Sequence, residues 1–317
     1  MKVVIGYDGS DCARDAIHEL RRAGLPRDAD VLVVSVADVW PPLPQSACEP
    51  ASGAAGFQKA PIVKKAQALA AQARAEAQTF AAEGAALVQT KFPGWKVAHA
   101  AYSGSPYLAL IKPDDGTPDL VVVGSHGRSA LGRFMMGSVS QSVMTHASCS
   151  VRVSRFVAKA ANAERPVRIV LGVDGSTHSA VAVSAVASRA WPAGTEVKVV
   201  AVLDTKFWTA MANSGSSAWA WIGEGEDDGR SWAGRAVHKV VEELIEAGLA
   251  ATPLVEEGDP KRVLVEEAER WEADCIIVGA KGHSGLERFL LGSVSAAVAA
   301  RAHCSVEVIR PSGTMLD

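Results

Sequence analysis

Long apolar runs are missing from this chain of 317 residues: none approaches the ~20 residues that a membrane-spanning helix needs, so no partnership with a membrane is expected. Met1-Lys2 runs straight into a short strand-like segment and not into the apolar core of a secretory signal, which makes the cytoplasm the expected location. Cysteine is scarce and lacks any Cys-x2-Cys pair. The five residues, Cys12, Cys48, Cys149, Cys275 and Cys304, therefore suggest neither a zinc site nor a redox motif and are expected to be reduced and mostly structural. The histidines lack metal-ligand spacing, and His126, His146, His283 and His303 read as surface or capping residues. No clustered basic face of the kind nucleic acid demands is present. Residues 1–160 carry 17 Lys and Arg against 13 Asp and Glu, and residues 161–317 carry 15 against 22. The halves thus have opposite net charge, which either draws them together or reflects drift of solvated surface charge.

Catalytic signatures are absent as well. There is no Gly-x4-Gly-Lys-[Ser/Thr] phosphate loop, and Gly223-Glu-Gly-Glu lacks the preceding strand of a dinucleotide fingerprint. The first strand is followed by Asp-Gly-Ser and not by Ser-Gly-Gly-x-Asp-Ser, which disfavours an ATP pyrophosphatase. No Gly-x-Ser-x-Gly elbow or Ser-His-Asp order appears.

What the chain does contain, it contains twice. Residues 124–138, Gly-Ser-His-Gly-Arg-Ser-Ala-Leu-Gly-Arg-Phe-Met-Met-Gly-Ser, return as residues 279–293, Gly-Ala-Lys-Gly-His-Ser-Gly-Leu-Glu-Arg-Phe-Leu-Leu-Gly-Ser. The frame Gly-x2-Gly-x9-Gly-Ser survives in both, and residues 124–153 match residues 279–308 at 16 of 30 positions. The segment starting at Val3, Val-Val-Ile-Gly-Tyr-Asp-Gly-Ser, is echoed by Ile-Val-Leu-Gly-Val-Asp-Gly-Ser from Ile169. Repetition on this scale means two copies of one domain, and at 48% apolar residues each copy can bury its own core. The expected units are residues 1–157 and 166–317, joined by the polar, alanine-rich connector Ala158–Arg165.

Apolar runs and helical periodicity alternate in both halves. In the first, strands are expected at 3–7, 31–37, 96–101, 120–123 and 150–153, with helices at 11–22, 62–86, from 105, and 137–146. The second half repeats the order with strands at 167–173, 197–203, 252–256, 275–278 and 305–309, and helices at 179–190, 231–248, 260–271 and 293–302. Strand alternating with helix implies an α/β fold, a parallel sheet covered on both faces. Lys112-Pro-Asp-Asp-Gly-Thr-Pro118 should cut the third helix of the first half short. Two loops follow the second strands: Trp40–Pro61, and Lys206–Asp228 with Trp208, Trp219 and Trp221. They read as surface insertions or, for the tryptophan-rich one, as a lid or an interface. The last strands, Ser150–Val153 and Ser305–Ile309, have edges that need cover, so the halves are expected to pair through them as an intramolecular pseudo-dimer; a homodimer of chains is a further option.

The glycine frame has a physical reading. Gly124 closes an apolar strand and Gly127 adds a second permissive turn, while Gly137 and Ser138 open the next helix, whose unpaired N–H groups and dipole attract anions. The same holds for Gly279, Gly282, Gly292 and Ser293. Asp8 and Asp174 end the first strands on the same sheet edge. There each carboxylate could take ribose hydroxyls or help to hold Mg²⁺, or each could cap the following helix, a role open also to Ser10, Asp11 and Ser176.

These residues resemble the universal stress protein family, specifically its tandem-domain, ATP-binding branch, over nearly all of both halves. The resemblance implies two five-stranded parallel sheets of order 3-2-1-4-5, with an adenine nucleotide between the acidic residue of the first strand and the glycine motif. It implies one site at Asp8, Gly124, Gly127, Gly137 and Ser138 and another at Asp174, Gly279, Gly282, Gly292 and Ser293. It also implies backbone contacts to adenine at Val36 and Val202, with Ser140 and Ser295 in reach of phosphates. Arg133 and Arg288 are candidate phosphate neighbours, or else solvated. His126-Gly-Arg128 faces Lys281-Gly-His283 at equivalent places, so the two sites need not match in affinity. With no evident nucleophile or base, the expected function is ATP occupancy with Mg²⁺ modulating conformation or partners in a stress response. A slow ATPase or self-phosphorylating enzyme, and a scaffold with empty sites, are the alternatives.

Overall fold

The computed structural model of the chain describes residues 1–37, 39, 61–114, 116–127, 136–155, 165–204, 229–282 and 291–311. The loops 40–60 and 206–228, together with Cys48, Arg128, Arg133, His283 and Arg288, lie outside the described residues.

The first half runs β1 (Lys2–Gly6), α1 (Asp11–Glu19), β2 (Asp30–Ala37), α2 (Pro61–Lys91), β3 (Lys96–Ser103), α3 (Pro106–Ile111), β4 (Leu120–Gly124), α4 (Ser138–His146) and β5 (Ser150–Ser154). The second repeats it: β6 (Arg168–Val173), α5 (Thr177–Ala187), β7 (Glu196–Leu203), α6 (Gly229–Glu246), β8 (Ala250–Glu257), α7 (Pro260–Arg270), β9 (Cys275–Gly279), α8 (Ser293–Arg301) and β10 (Ser305–Ile309). Each half has strand order 3-2-1-4-5, and the two sheets join edge to edge as one ten-stranded sheet, β3-β2-β1-β4-β5-β10-β9-β6-β7-β8. Within each half the strands are parallel, and the antiparallel pair is β5 with β10, registered Val153 to Val306, Arg152 to Glu307 and Val151 to Val308. The edges expected to need cover thus close on each other, satisfying two rows of backbone groups at once.

Alternation along the strands divides the core. Val4, Val121, Val151, Val306 and Ile276 face one side, where they pack with Leu110, Val143, Leu264 and Val298 of α3, α4, α7 and α8 in a single cluster spanning both halves. Residues of opposite parity fill two separate clusters on the other side, one under α1 and α2, the other under α5 and α6. One face therefore has an apolar core shared by the halves, and the other has a separate apolar cluster for each.

Several boundaries differ from the expected ones; α2, for example, runs on to Lys91, past residue 86. The helix begun at Asp11 tightens into a 3₁₀ turn over Leu20–Arg22. α3 stops after six residues where α7 has eleven, the early end expected there, since Pro113 cannot continue it. α5 ends at Ala187 and not Ala190, because the chain turns there toward the first half: the Ala190 N–H donates to Gly24 O at 3.1 Å, and Trp191 Nε1 returns to Val186 O at 2.7 Å.

Candidate functional site

β1 and β6 each end one or two residues before an aspartate, and the chain then turns through a glycine with positive φ, Gly9 at 77° and Gly175 at 80°. A side chain would be strained there, so the Asp-Gly-Ser turn is conformationally required. The turn sets up the next helix. Ser10 caps α1, its hydroxyl accepting from Ala13 N at 3.2 Å, and Ser176 caps α5 by accepting from Ser179 N at 3.2 Å. The capping role left open between serine and aspartate thus falls to the serines. Asp8 and Asp174 brace the turn through one oxygen, accepting from Ser10 N and Ser176 N, both at 3.0 Å.

The other carboxylate oxygen looks across the sheet edge. A Cβ on Gly127 would lie 2.7 Å from Asp8 Oδ2, and one on Gly282 would lie 2.7 Å from Asp174 Oδ2. The second glycine of each frame is therefore what lets the acidic residue and the glycine loop meet. The first glycine has another reason. A Cβ on Gly124 would stand 2.9 Å from Cys12 O, and one on Gly279 2.6 Å from the His178 carbonyl carbon, because the starts of α1 and α5 cross the strand ends there.

The third glycine differs again. Gly137 is the N-cap of α4 at φ −64°, ψ 154°, a conformation any residue adopts, and a Cβ on it would meet Ser125 O at 3.4 Å, an ordinary contact. Neither backbone nor packing demands glycine at 137. Gly292 is tighter, 2.9 Å from Ala280 O, so the two sites are similar but not identical in room. Both loops close on themselves, Gly137 N donating to Ser125 O and Gly292 N to Ala280 O, each at 2.8 Å. α4 and α8 then begin with Ser138 and Ser293, no capping side chain and no acidic residue in the first turn. That leaves the amides and positive dipole end available to an anion.

Val36 and Val202 lie near the ends of β2 and β7. Val34 O accepts from Tyr7 N on the β1 side, while Ala37 O accepts from Gly104 N on the β3 side. Alternation then turns the Val36 backbone toward β1, beyond the last residue β1 contributes to the ladder. Val202 holds the equivalent place one residue past the Val173–Ala201 pair.

Ser140 and Ser295 have a role within the fold. Both are buried, and each hydroxyl donates at 2.7 Å to the carbonyl of the strand-end glycine, Gly124 or Gly279. They tie α4 to β4 and α8 to β9. Ser140→Ala is expected to cost about 1 kcal/mol of stability by leaving that carbonyl unpaired, with nucleotide stoichiometry unchanged. Urea midpoints read the first quantity and calorimetry the second. A loss of affinity at constant stability would restore the phosphate role.

Two titratable groups distinguish the sites. His126 Nδ1 lies 2.9 Å from Ser125 Oγ, and burial followed by the charge of Arg155 holds its pKa below the ordinary value. The equivalent Lys281 belongs to the second site, where burial of His178, followed by the Lys281 charge, lowers the pKa of His178. The buried cysteines Cys149 and Cys304 make poor nucleophiles: burial pushes the Cys149 thiol up to about 11 and the Cys304 thiol up to about 12. No helix among the described residues is long and apolar enough to cross a membrane.

Comparison with known proteins agrees with this architecture. A universal stress protein of Mycolicibacterium smegmatis is 33% identical over 192 residues, which span 61% of this chain and 62% of that protein. Universal stress protein MJ0531 of Methanocaldococcus jannaschii is 35% identical over 143 residues, 45% of this chain and 81% of that protein. The crystal structure of a universal stress protein from Archaeoglobus fulgidus superposes with a TM-score of 0.62, covering 98% of both chains at 18% identity, a likeness of fold. The model of the universal stress protein family matches residues 1–155 and again residues 167–310. The chain belongs to the universal stress protein family and carries its domain twice in tandem.

Proposed function

We propose that each half, residues 1–157 and 166–317, binds one ATP with Mg²⁺ and that occupancy of the two sites regulates conformation or partners in a cytoplasmic stress response. The observation that carries this reading is the recurrence, in both halves, of a carboxylate 2.7 Å from where a glycine Cβ would stand, beside a helix start with no capping side chain. The donor set suits the ligand. The amides at Ser138 and Ser293 would hold phosphates, Asp8 and Asp174 ribose or the metal, and the Val36 and Val202 backbone the adenine. Bound nucleotide would supply negative charge to otherwise open helix starts, and nothing more is asked of it.

Turnover is expected to be very slow. Asp8 and Asp174 each accept from a backbone amide of their own turn, which suits them to holding a ligand more than to activating water in line with a γ-phosphate. Nucleotide identified after denaturing the purified protein, and calorimetry reaching two per chain, test the binding. ATP-Mg²⁺ at 100 times its dissociation constant should add ~2.7 kcal/mol and raise the melting temperature by a few degrees. Phosphate release at roughly 1 per second or faster would shift the function to that of an enzyme.

A further inference from the structure

The paired last strands are built around a pseudo-two-fold axis, and several of the contacts beside them recur on both sides of it. Arg155, just after β5, donates from Nη2 to Ala299 O of α8 at 2.6 Å, and Arg310, just after β10, donates to Met144 O of α4 at 2.6 Å. Arg155 N donates to Ser305 Oγ at 3.0 Å, and Arg310 N to Ser150 Oγ at 3.1 Å. Contacts of this kind would form equally well if β5 met another β5, or β10 another β10. One position breaks the symmetry. Cys-Ser-Val-Arg-Val at 149–153 becomes Cys-Ser-Val-Glu-Val at 304–308, so over the registered part of the two last strands the one difference is a reversal of charge, and past it Ser154 stands where the second half has Ile309.

That position is the middle of the ladder. Arg152 and Glu307 are register partners, both are 0% exposed, and Arg152 Nη1 donates to Glu307 Oε2 at 2.8 Å. Each charge also has a second partner from its own half. Arg152 Nε donates to Glu19 Oε2 at 3.0 Å, and Arg189 Nη1 donates to Glu307 Oε2 at 3.0 Å. Glu19–Arg152–Glu307–Arg189 is thus a buried chain of alternating charge, lying on the face where the α1 and α5 clusters are separate. The second half has Ala185 where the first has Glu19, and the first has Ala23 where the second has Arg189.

From this we infer that the Arg152–Glu307 pair selects the pairing partner of each last strand. The β5 edge accepts a strand carrying a carboxylate at the centre of the register, which is β10, and rejects the β5 edge of a second copy. In a like-with-like seam two guanidinium groups, or two carboxylates, would face each other without water, a juxtaposition that costs several kcal/mol. Specificity here comes from what the wrong pairing would bury.

The test uses two full-length variants, Arg152→Glu and Glu307→Arg, each of which puts like charges at its own seam. Mixed and refolded together, they can form the native Arg152–Glu307 seam between chains. A mixed dimer at least about tenfold more abundant than either homodimer in native mass spectrometry is the expected result. Closed monomers with wild-type melting temperatures, alone and mixed, would overturn the inference. If neither variant accumulates, reversing all four charges (Glu19→Arg, Arg152→Glu, Arg189→Glu, Glu307→Arg) decides. Recovery of a folded monomer supports selection by charge, and failure to recover one overturns it.

Discussion

Gly137→Val should leave the protein folded and reduce bound nucleotide from two per chain to one. The backbone at 137 is already extended at φ −64°, ψ 154°, and a Cβ there would make an ordinary 3.4 Å contact, so valine costs about 1 kcal/mol or less as a poor N-cap. What it removes is the space in front of the α4 amides, where phosphate would sit. Gly279→Ala is the contrasting case. Its Cβ would stand within 2.6–2.8 Å of three backbone atoms at the start of α5, and overpacking against backbone costs typically ~1–3 kcal/mol. That variant should lower the urea midpoint, and its second site should fail together with its fold. Calorimetric stoichiometry and urea midpoints on the same samples separate the outcomes. A Gly137→Val protein that still binds two nucleotides would remove the first site from the assignment.

Glu307→Leu should produce a larger loss of stability than Ser140→Ala, Gly137→Val or Gly279→Ala. The carboxylate is fully buried between Arg152 and Arg189, and its removal leaves two guanidinium groups without their shared partner at a cost of about 3–5 kcal/mol. The same group sets an acid limit. Burial alone would raise its pKa, but Arg189 and Arg152 overcome burial and hold it at about 2, against 4.5 as the ordinary value. A depressed carboxylate contributes stability that is complete above pH 4.5 and is lost as pH falls through about 2, so the wild-type urea midpoint should decline across that window. Glu307→Leu should lack this part of the decline. Equal acid sensitivity in the two proteins would show that Glu307 is not the group responsible.

Much of the molecule was legible because its signals are local. Alternating apolar runs and helical periods gave the order of elements, since burial on one face of a strand or helix is written within a few residues. The duplicated glycine frame placed Gly124, Gly127 and Gly137 on one sheet edge with Asp8, because loops after parallel strands must gather at their carboxyl ends. Ser10 and Ser176 were visible as caps, though not as the residues that take the helix amides while Asp8 and Asp174 brace the turn. Ser140 and Ser295 read in sequence by spacing alone, since a serine in the first turn after a glycine-rich loop has the spacing of a phosphate ligand. Only the approach of α4 to β4, and of α8 to β9, turns those hydroxyls inward.

By itself, then, the sequence determined two copies of an α/β domain, the strand order implied by the family likeness, and the residues gathered at each sheet edge. Tertiary structure decided how the copies meet. Arg152 reads in sequence as one charge in a short apolar strand, yet its partners Glu19 and Glu307 lie 133 and 155 residues away. No local period encodes such a pairing. The distinct reasons for the three glycines were equally hidden, because one depends on a crossing helix, one on a facing carboxylate, and one on room that the protein itself leaves open.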